Sequence, residues 1–394
     1  MSEETIRMEP LQRSLPERRR VLGAVVGGAA ALAVWGGVRM WAGGGSGQGA
    51  RKWGTTEATG RLALAPGAPD TLYASATDGT VRALDAGSGA VRWTRALGEP
   101  AVGGDQGGWP VAAGEGVVCV ATGTRLFALD AASGEVRWAV PTPGRPSLPW
   151  VQDPAIGGGA VFAVHGTTAN GTSSTGTTVH SYDAATGSLR WSSPPVSSGF
   201  LALAGDTVYT AHFLKGLYAF DAKSGEQRWQ QNSGFSAVGV PPVVNQGLVL
   251  LSQTVETAGA SFLAAFDGAT GTKLWGRDLG GTQIGPPAAV GGTILQLTGD
   301  RVVGVDLHSG EPRWQTAVFE GAGRGTLAMT QGEGRVYVAT GGGRVHTVDT
   351  GGATRWRDAP EGIGAGGAYA RVFLAAAGGV VFRGGDAGVQ AFSL

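Results

Sequence analysis

Leu126-Phe127-Ala128-Leu129-Asp130-Ala131-Ala132-Ser133-Gly134-Glu135-Val136-Arg137-Trp138 is the stretch that decides how this chain folds. Apolar side chains alternate up to an Asp, small residues and a Gly follow, and a second short run closes on Trp. Alternation of period two places successive side chains on opposite faces of a strand. The Asp carboxylate is suited to bond backbone N–H groups of a turn, and Gly supplies the left-handed conformation that other residues resist. The phrase therefore predicts a hairpin of two short strands. A Trp at a fixed place after the turn offers a large apolar body with a single N–H donor, suited to wedging against a neighbouring unit.

The phrase recurs. Asp precedes Trp by eight residues at Asp85/Trp93, Asp130/Trp138, Asp183/Trp191, Asp221/Trp229, Asp267/Trp275 and Asp306/Trp314, with Gly four residues after each Asp. A seventh unit has Asp349 and Trp356 one residue closer, with Gly352 early, which predicts a tighter turn there. Upstream of each phrase lies another apolar run, such as Val117-Val118-Cys119-Val120 or Val208-Tyr209-Thr210-Ala211, and eight such runs occur. Before that run comes a further strand, often opened by Pro, as at Trp109-Pro110-Val111 and Pro241-Pro242-Val243. Each unit thus reads as a four-stranded meander of about 40 residues, the size of one propeller blade.

The eighth unit ends at Ala391-Phe392-Ser393-Leu394 after its third strand, while Arg51-Lys52-Trp53 is a Trp-bearing strand with no Asp phrase before it. One orphan strand fits one missing strand. Residues 51–58 are expected to complete the last blade and close an eight-bladed all-β ring, which removes open sheet edges. The docking positions are then Trp53, Trp93, Trp138, Trp191, Trp229, Trp275, Trp314 and Trp356.

Thirty basic and thirty acidic residues cancel, and with no basic stripe in the repeats nucleic acid is not expected as a partner. The single cysteine, Cys119, sits in an apolar run and reads as a small buried side chain; no intramolecular disulfide is possible. Residues 1–20 are polar and read as a disordered cytoplasmic tail. Arg18-Arg19-Arg20 then abuts residues 21–38, eighteen uncharged residues closed by Arg39. That length just crosses a bilayer, so residues 21–39 are expected to be a signal-anchor or transmembrane helix that puts the rest outside the cytoplasm. Cleavage would make the protein secreted, and the Arg run resembles a twin-arginine export signal. Residues 40–50 are a Gly-rich linker.

The phrase Ala-x-Asp-x-x-(Ser/Thr)-Gly-x-x-x-Trp, at 83–93, 128–138, 219–229 and 265–275, resembles the tryptophan-docking motif of the pyrroloquinoline-quinone-like (PQQ-like) repeat. The resemblance spans roughly residues 51–394 and implies an eight-bladed propeller in which each Trp packs between blades. It also implies one of two kinds of function. Some members are quinoprotein dehydrogenases; others are non-enzymatic, among them the lipoprotein propeller of the outer-membrane barrel-assembly machine and sensor domains of membrane kinases. Alcohol dehydrogenases of the family typically carry an adjacent-cysteine disulfide against the quinone, which a chain with one Cys cannot form.

No constellation of residues argues for catalysis. The five histidines, His165, His180, His212, His308 and His346, lack close metal-ligand spacing; His165 and His212 end equivalent strands and read as exposed loop residues. The phrase aspartates read as turn-formers. In a meander with its first strand innermost, loops between blades and between second and third strands share the face opposite the Asp-Gly turns. Long inserts at 94–108, 139–152, 166–177 and 254–260 fall on that face, as do Trp109, Trp150, Asp153 and Gln283, the candidate ligand positions. The expected function is a membrane-tethered, extracytoplasmic, non-catalytic scaffold for protein interaction or ligand sensing, with no cofactor. The alternatives are a PQQ-dependent oxidoreductase, with PQQ and calcium, and a carbohydrate-binding propeller using Trp109 and Trp150 as anchors.

Overall fold

The structure, a computed structural model, describes residues 51–394 apart from 56–58, 67, 77, 99–108, 123, 143–153, 170–172, 197, 213–215, 232–239, 256–259, 281–285, 299–300, 318–327, 333, 340–344, 358–371, 386–387 and 394. The tail, apolar segment and linker expected at 1–50 lie outside the described residues, as do Trp150, Asp153, Gln283 and the side chains of His212 and Trp356.

Among the described residues, thirty-two strands form eight four-stranded antiparallel sheets. Seven sheets are consecutive meanders: blade 1 at 59–96, blade 2 at 111–141, blade 3 at 155–192, blade 4 at 198–231, blade 5 at 243–278, blade 6 at 288–317 and blade 7 at 328–357. Blade 8 combines the three strands of 372–393 with the strand Arg51–Gly54. That N-terminal strand pairs antiparallel with Gly388–Ser393, Trp53 opposite Ala391 and Gly54 opposite Gln390, and Thr55 N–H donates to the Val389 carbonyl at 2.8 Å. First strands of successive blades touch all the way round, blade 8 meeting blade 1, so the ring is closed.

The core is divided as the repeats are. Eight apolar clusters occupy the eight junctions between neighbouring blades. Each arises because both faces of a blade are apolar, so strands read as near-continuous hydrophobic runs such as Val117–Ala121. At the closing junction Trp53, Phe382 and Val389 of blade 8 pack on Leu62, Leu72 and Leu84 of blade 1. Trp53 is 0% exposed and stands edge-on to Phe382 at 6.2 Å.

The eight-residue spacing from Asp to Trp has a structural reason. In each of the six blades that use it, the pairing of third and fourth strands shifts register by one residue just before the turn. Such a bulge takes one extra residue and sharpens local twist. In blade 7, with its seven-residue spacing, the register runs without a shift from Val345/Arg357 to Val348/Thr354. The turn is tighter as expected: Gly352 N–H reaches the Asp349 carbonyl three residues back, where Gly134 N–H reaches Asp130 four back.

Candidate functional site

The ring presents two chemically different ends. On the turn end the repeated phrase satisfies itself. One oxygen of Asp130 accepts the N–H groups of Ala132 and Ser133 and the Ser133 hydroxyl, and the other pairs with Arg137 at 2.7 Å. The same arrangement joins Asp85 to Arg92, Asp183 to Arg190, Asp221 to Arg228 and Asp306 to Arg313. Arg92 and Arg228 also reach Asp70 and Asp206 on the preceding hairpin. The Arg137 guanidinium and the turn amides hold the Asp130 carboxyl at about 2, and Asp85 and Asp183 likewise. These carboxylates are acceptors already filled, which suits turn-building and leaves no basic lone pair for acid–base work.

Each indole then ties this turn to its neighbour. Trp93 Nε1–H donates to the Ala131 carbonyl, Trp138 to Ala184, Trp191 to Ala222, Trp229 to Gly268, Trp275 to Leu307 and Trp314 to Thr350, in every case the residue after the next blade's Asp. Trp53 does the same to Ala86 at 3.0 Å, which makes the N-terminal strand an equivalent member of the series.

The opposite end is less complete. Buried side-chain atoms with no hydrogen-bond partner include Thr55 Oγ1, Trp109 Nε1 and Thr298 Oγ1 at the loop ends of their strands, and His165 Nδ1, Arg383 Nε and Gln390 Oε1 at mid-strand. Ser181 Oγ, two residues before Asp183, and Asn245 Oδ1 lie toward the turn end in the same condition. Trp109, a candidate ligand anchor, is buried in the apolar cluster between blades 1 and 2, where its carbonyl accepts from Ser75 at 2.7 Å. The expected inserts at 166–177 and 254–260 are largely strand: Ala160–Ala169 with Ser173–Asp183, and Leu248–Val255 with Ala260–Asp267, extend as long hairpin arms.

His165 corrects the expectation of an exposed loop histidine. It is 1% exposed, in the second strand of blade 3, with its ring stacked on His180 across the hairpin at 4.3 Å. Tyr182 Oη lies 3.3 Å from His165 Nε2 and from His180 Nδ1, and the Thr178 hydroxyl is 2.7 Å from His180 Nε2. The facing blade 2 surface presents Val117, Cys119, Ala121, Leu126, Ala128 and Trp138, none charged. Burial, with the neighbouring His180 second, pulls His165 down to about 3; burial also lowers His180 and pushes Tyr182 up to about 12. Burial likewise pushes the Cys119 thiol up, so it is unreactive.

A pH profile follows from these signs. A histidine held below its unfolded value stabilises the fold above pH ~6.5 and that contribution drains away as pH falls toward 3, at about 1.4 kcal/mol per pH unit for each proton taken up. The exposed turn carboxylates stabilise above pH ~4 and lose their smaller contribution only toward 2. Stability measured by urea unfolding is expected to fall from pH 6.5 to 4.5 in the native chain and to fall less steeply in His165→Phe, where His180 alone of the pair remains. An unchanged slope in the variant would show that His165 is not the group responsible.

Among the described residues no three His, Cys, Asp or Glu side chains converge as a metal-binding group. The ring of interblade indoles is matched by a family model, PQQ_2, described as outer membrane protein assembly factor BamB, over residues 42–173 and 175–332. The chain belongs to this family. Among solved structures, BamB from Moraxella catarrhalis is 20% identical over 84% of this chain and 94% of that one, with a TM-score of 0.61. The computationally designed Ika8 protein is 15% identical over 88% and 100%, TM-score 0.65. The quinohemoprotein alcohol dehydrogenase from Comamonas testosteroni is 16% identical over 92% and 76%, TM-score 0.58. At these identities the likeness is one of fold. No curated protein matches the chain.

Within this PQQ_2 member, sequence reading located the turns and the seven docking indoles from Trp53 to Trp314 but passed over three sets of residues. The Arg seven residues after the Asp was visible as a repeated spacing. The His180–Tyr182 pair was visible as period-two neighbours on one strand. Arg383 was visible as a lone charge ending the apolar run Val380-Val381-Phe382.

Proposed function

We propose that the chain is a membrane-tethered, extracytoplasmic, non-catalytic propeller that binds a protein or ligand through its loop end. The observation that carries this reading is the difference between the two ends: the turn end is closed by the hydrogen bonds of its repeated phrase, whereas Thr55, Trp109 and Thr298 leave buried polar atoms unpartnered at the other. Membership of a family described by an assembly factor supports a scaffold role, and the single buried cysteine agrees with it. The apolar segment at 21–39 would hold the ring at the membrane surface, with the linker at 40–50 as its tether.

The test places a photo-crosslinking residue at Trp150 and Gln283, which the sequence reading assigns to the loop end, or at Lys223 and His308 on the turn end, in cells expressing the full chain. Discrete adducts are expected from the first pair alone. Adducts confined to the turn end would reverse the assignment. In parallel, the purified chain titrated with PQQ and calcium is expected to leave the cofactor absorbance unchanged and to reduce no dye with alcohols or sugars; a saturable response would favour the oxidoreductase reading instead.

A further inference from the structure

Arg383 lies in the second strand of blade 8, Val380–Gly385, directly across from Gln390 in the third. Strand alternation sets their direction. Phe382 and Ala391 pack toward blade 1, while Val381 and Phe392 pack with Tyr337, Ala339 and Val345 of blade 7. Arg383 and Gln390 therefore share the blade 7 face, one step closer to the loop end than Val381 and Phe392. Equivalent cross-strand pairs elsewhere are Val120/Phe127, Thr210/Tyr218 and Leu251/Ala264. The equivalent pair of blade 1, Ala74/Arg82, also carries a guanidinium, but there it is paired with Asp78, whereas Arg383 has no carboxylate beside it among the described residues.

Arg383 is 7% exposed and Gln390 2% exposed. Arg383 Nε and Gln390 Oε1 are both buried without a hydrogen-bond partner, and no ion pair joins Arg383 to a carboxylate among the described residues. Burial alone lowers the guanidinium to about 10, still charged at neutral pH. Lone buried charges are strongly disfavoured, and a facing pair of unfilled polar groups in an apolar junction is doubly so.

We propose that the Arg383–Gln390 pair is a binding site for a small carboxylate, seated between blades 7 and 8. The planar guanidinium offers parallel N–H donors that match two carboxylate oxygens, and Gln390 can add the N–H donors of its amide, its Oε1 facing the guanidinium rather than the anion. One cation against apolar walls selects a monoanion: a phosphate dianion would leave a negative charge uncompensated in the same surroundings. This assignment goes beyond the scaffold reading and stands without it, since its evidence is confined to one junction.

The test is thermal unfolding of the full chain in sodium acetate against sodium chloride at equal ionic strength, with sodium phosphate as a third arm. Acetate is expected to raise the midpoint saturably by about 3 °C over chloride, as ligand linkage requires. Arg383→Met is expected to abolish that rise and to melt higher than the native chain in chloride. Should Arg383→Met fail to fold, Gln390→Leu is expected to weaken the acetate response at least threefold in half-saturating concentration. No acetate response in the native chain, an equal response in Arg383→Met, an unaltered one in Gln390→Leu, or a stronger response to phosphate would each overturn the proposal.

Discussion

Trp53→Ala is expected to lower the thermal midpoint by roughly 5–10 °C, from a loss of about 3–5 kcal/mol for emptying a fully buried indole site. The argument rests on what the side chain closes. Trp53 is 0% exposed, its Nε1–H bonds the Ala86 carbonyl at 3.0 Å, and its ring lies against Gly89 of blade 1 and Phe382 of blade 8. Truncation leaves a cavity at the only junction whose strands come from opposite ends of the chain, and it strips a partner from a backbone acceptor. Loss of Trp191 removes an equal volume, but there the chain itself still connects the two blades. Calorimetry of the two alanine variants checks this: Trp53→Ala should broaden the transition as well as shift it, while removal of residues 1–20 should change neither midpoint nor width.

Gly134→Ala is expected to cost about 2–5 kcal/mol, a size usually associated with core truncation, although only one methyl is added. Two terms contribute. Gly134 has φ of +71°, a left-handed conformation that costs an L residue about 1–2 kcal/mol. A Cβ there would also stand 2.6 Å from the Trp93 ring, so the docked indole must move, at about 1–3 kcal/mol. Gly205→Ala separates the terms, because Gly205 has φ of +58° with nothing within 4 Å of the added Cβ. Urea unfolding should show Gly205→Ala losing only the conformational part. Equal losses in the two variants would mean that the indole is not wedged on the turn glycine.

The same pair of facts explains why so much of the fold was readable. Asp, Gly and Trp recur at fixed offsets because one turn geometry, one left-handed residue and one stacked indole are required at each junction. The tighter turn of blade 7 was readable for the same reason, from the one-residue-shorter spacing, while the absence of a bulge from its ladder emerged only with the register. The loop end was legible as a location only. His165 looked like a loop residue because the arms Ala160–Ala169 and Ser173–Asp183 are rich in Gly, Ser and Thr, which weaken the apolar alternation that marks a strand. Its burial depends on blade 2, a partner no local pattern reveals. Arg383 could be seen as a charge at the end of an apolar run, but whether it faced solvent or blade 7 required the register with Gln390.

Amide hydrogen exchange of the full chain tests ring closure most directly. If Arg51–Gly54 is the fourth strand of blade 8, the Thr55 amide and those of Gly388–Ser393 that face it should exchange as slowly as the equivalent amides of blade 4, Gly216–Asp221 and Gln227–Gln231. Exchange of residues 51–55 at the rate of unstructured chain, with blade 4 protected, would contradict a ring fastened by its N-terminal strand.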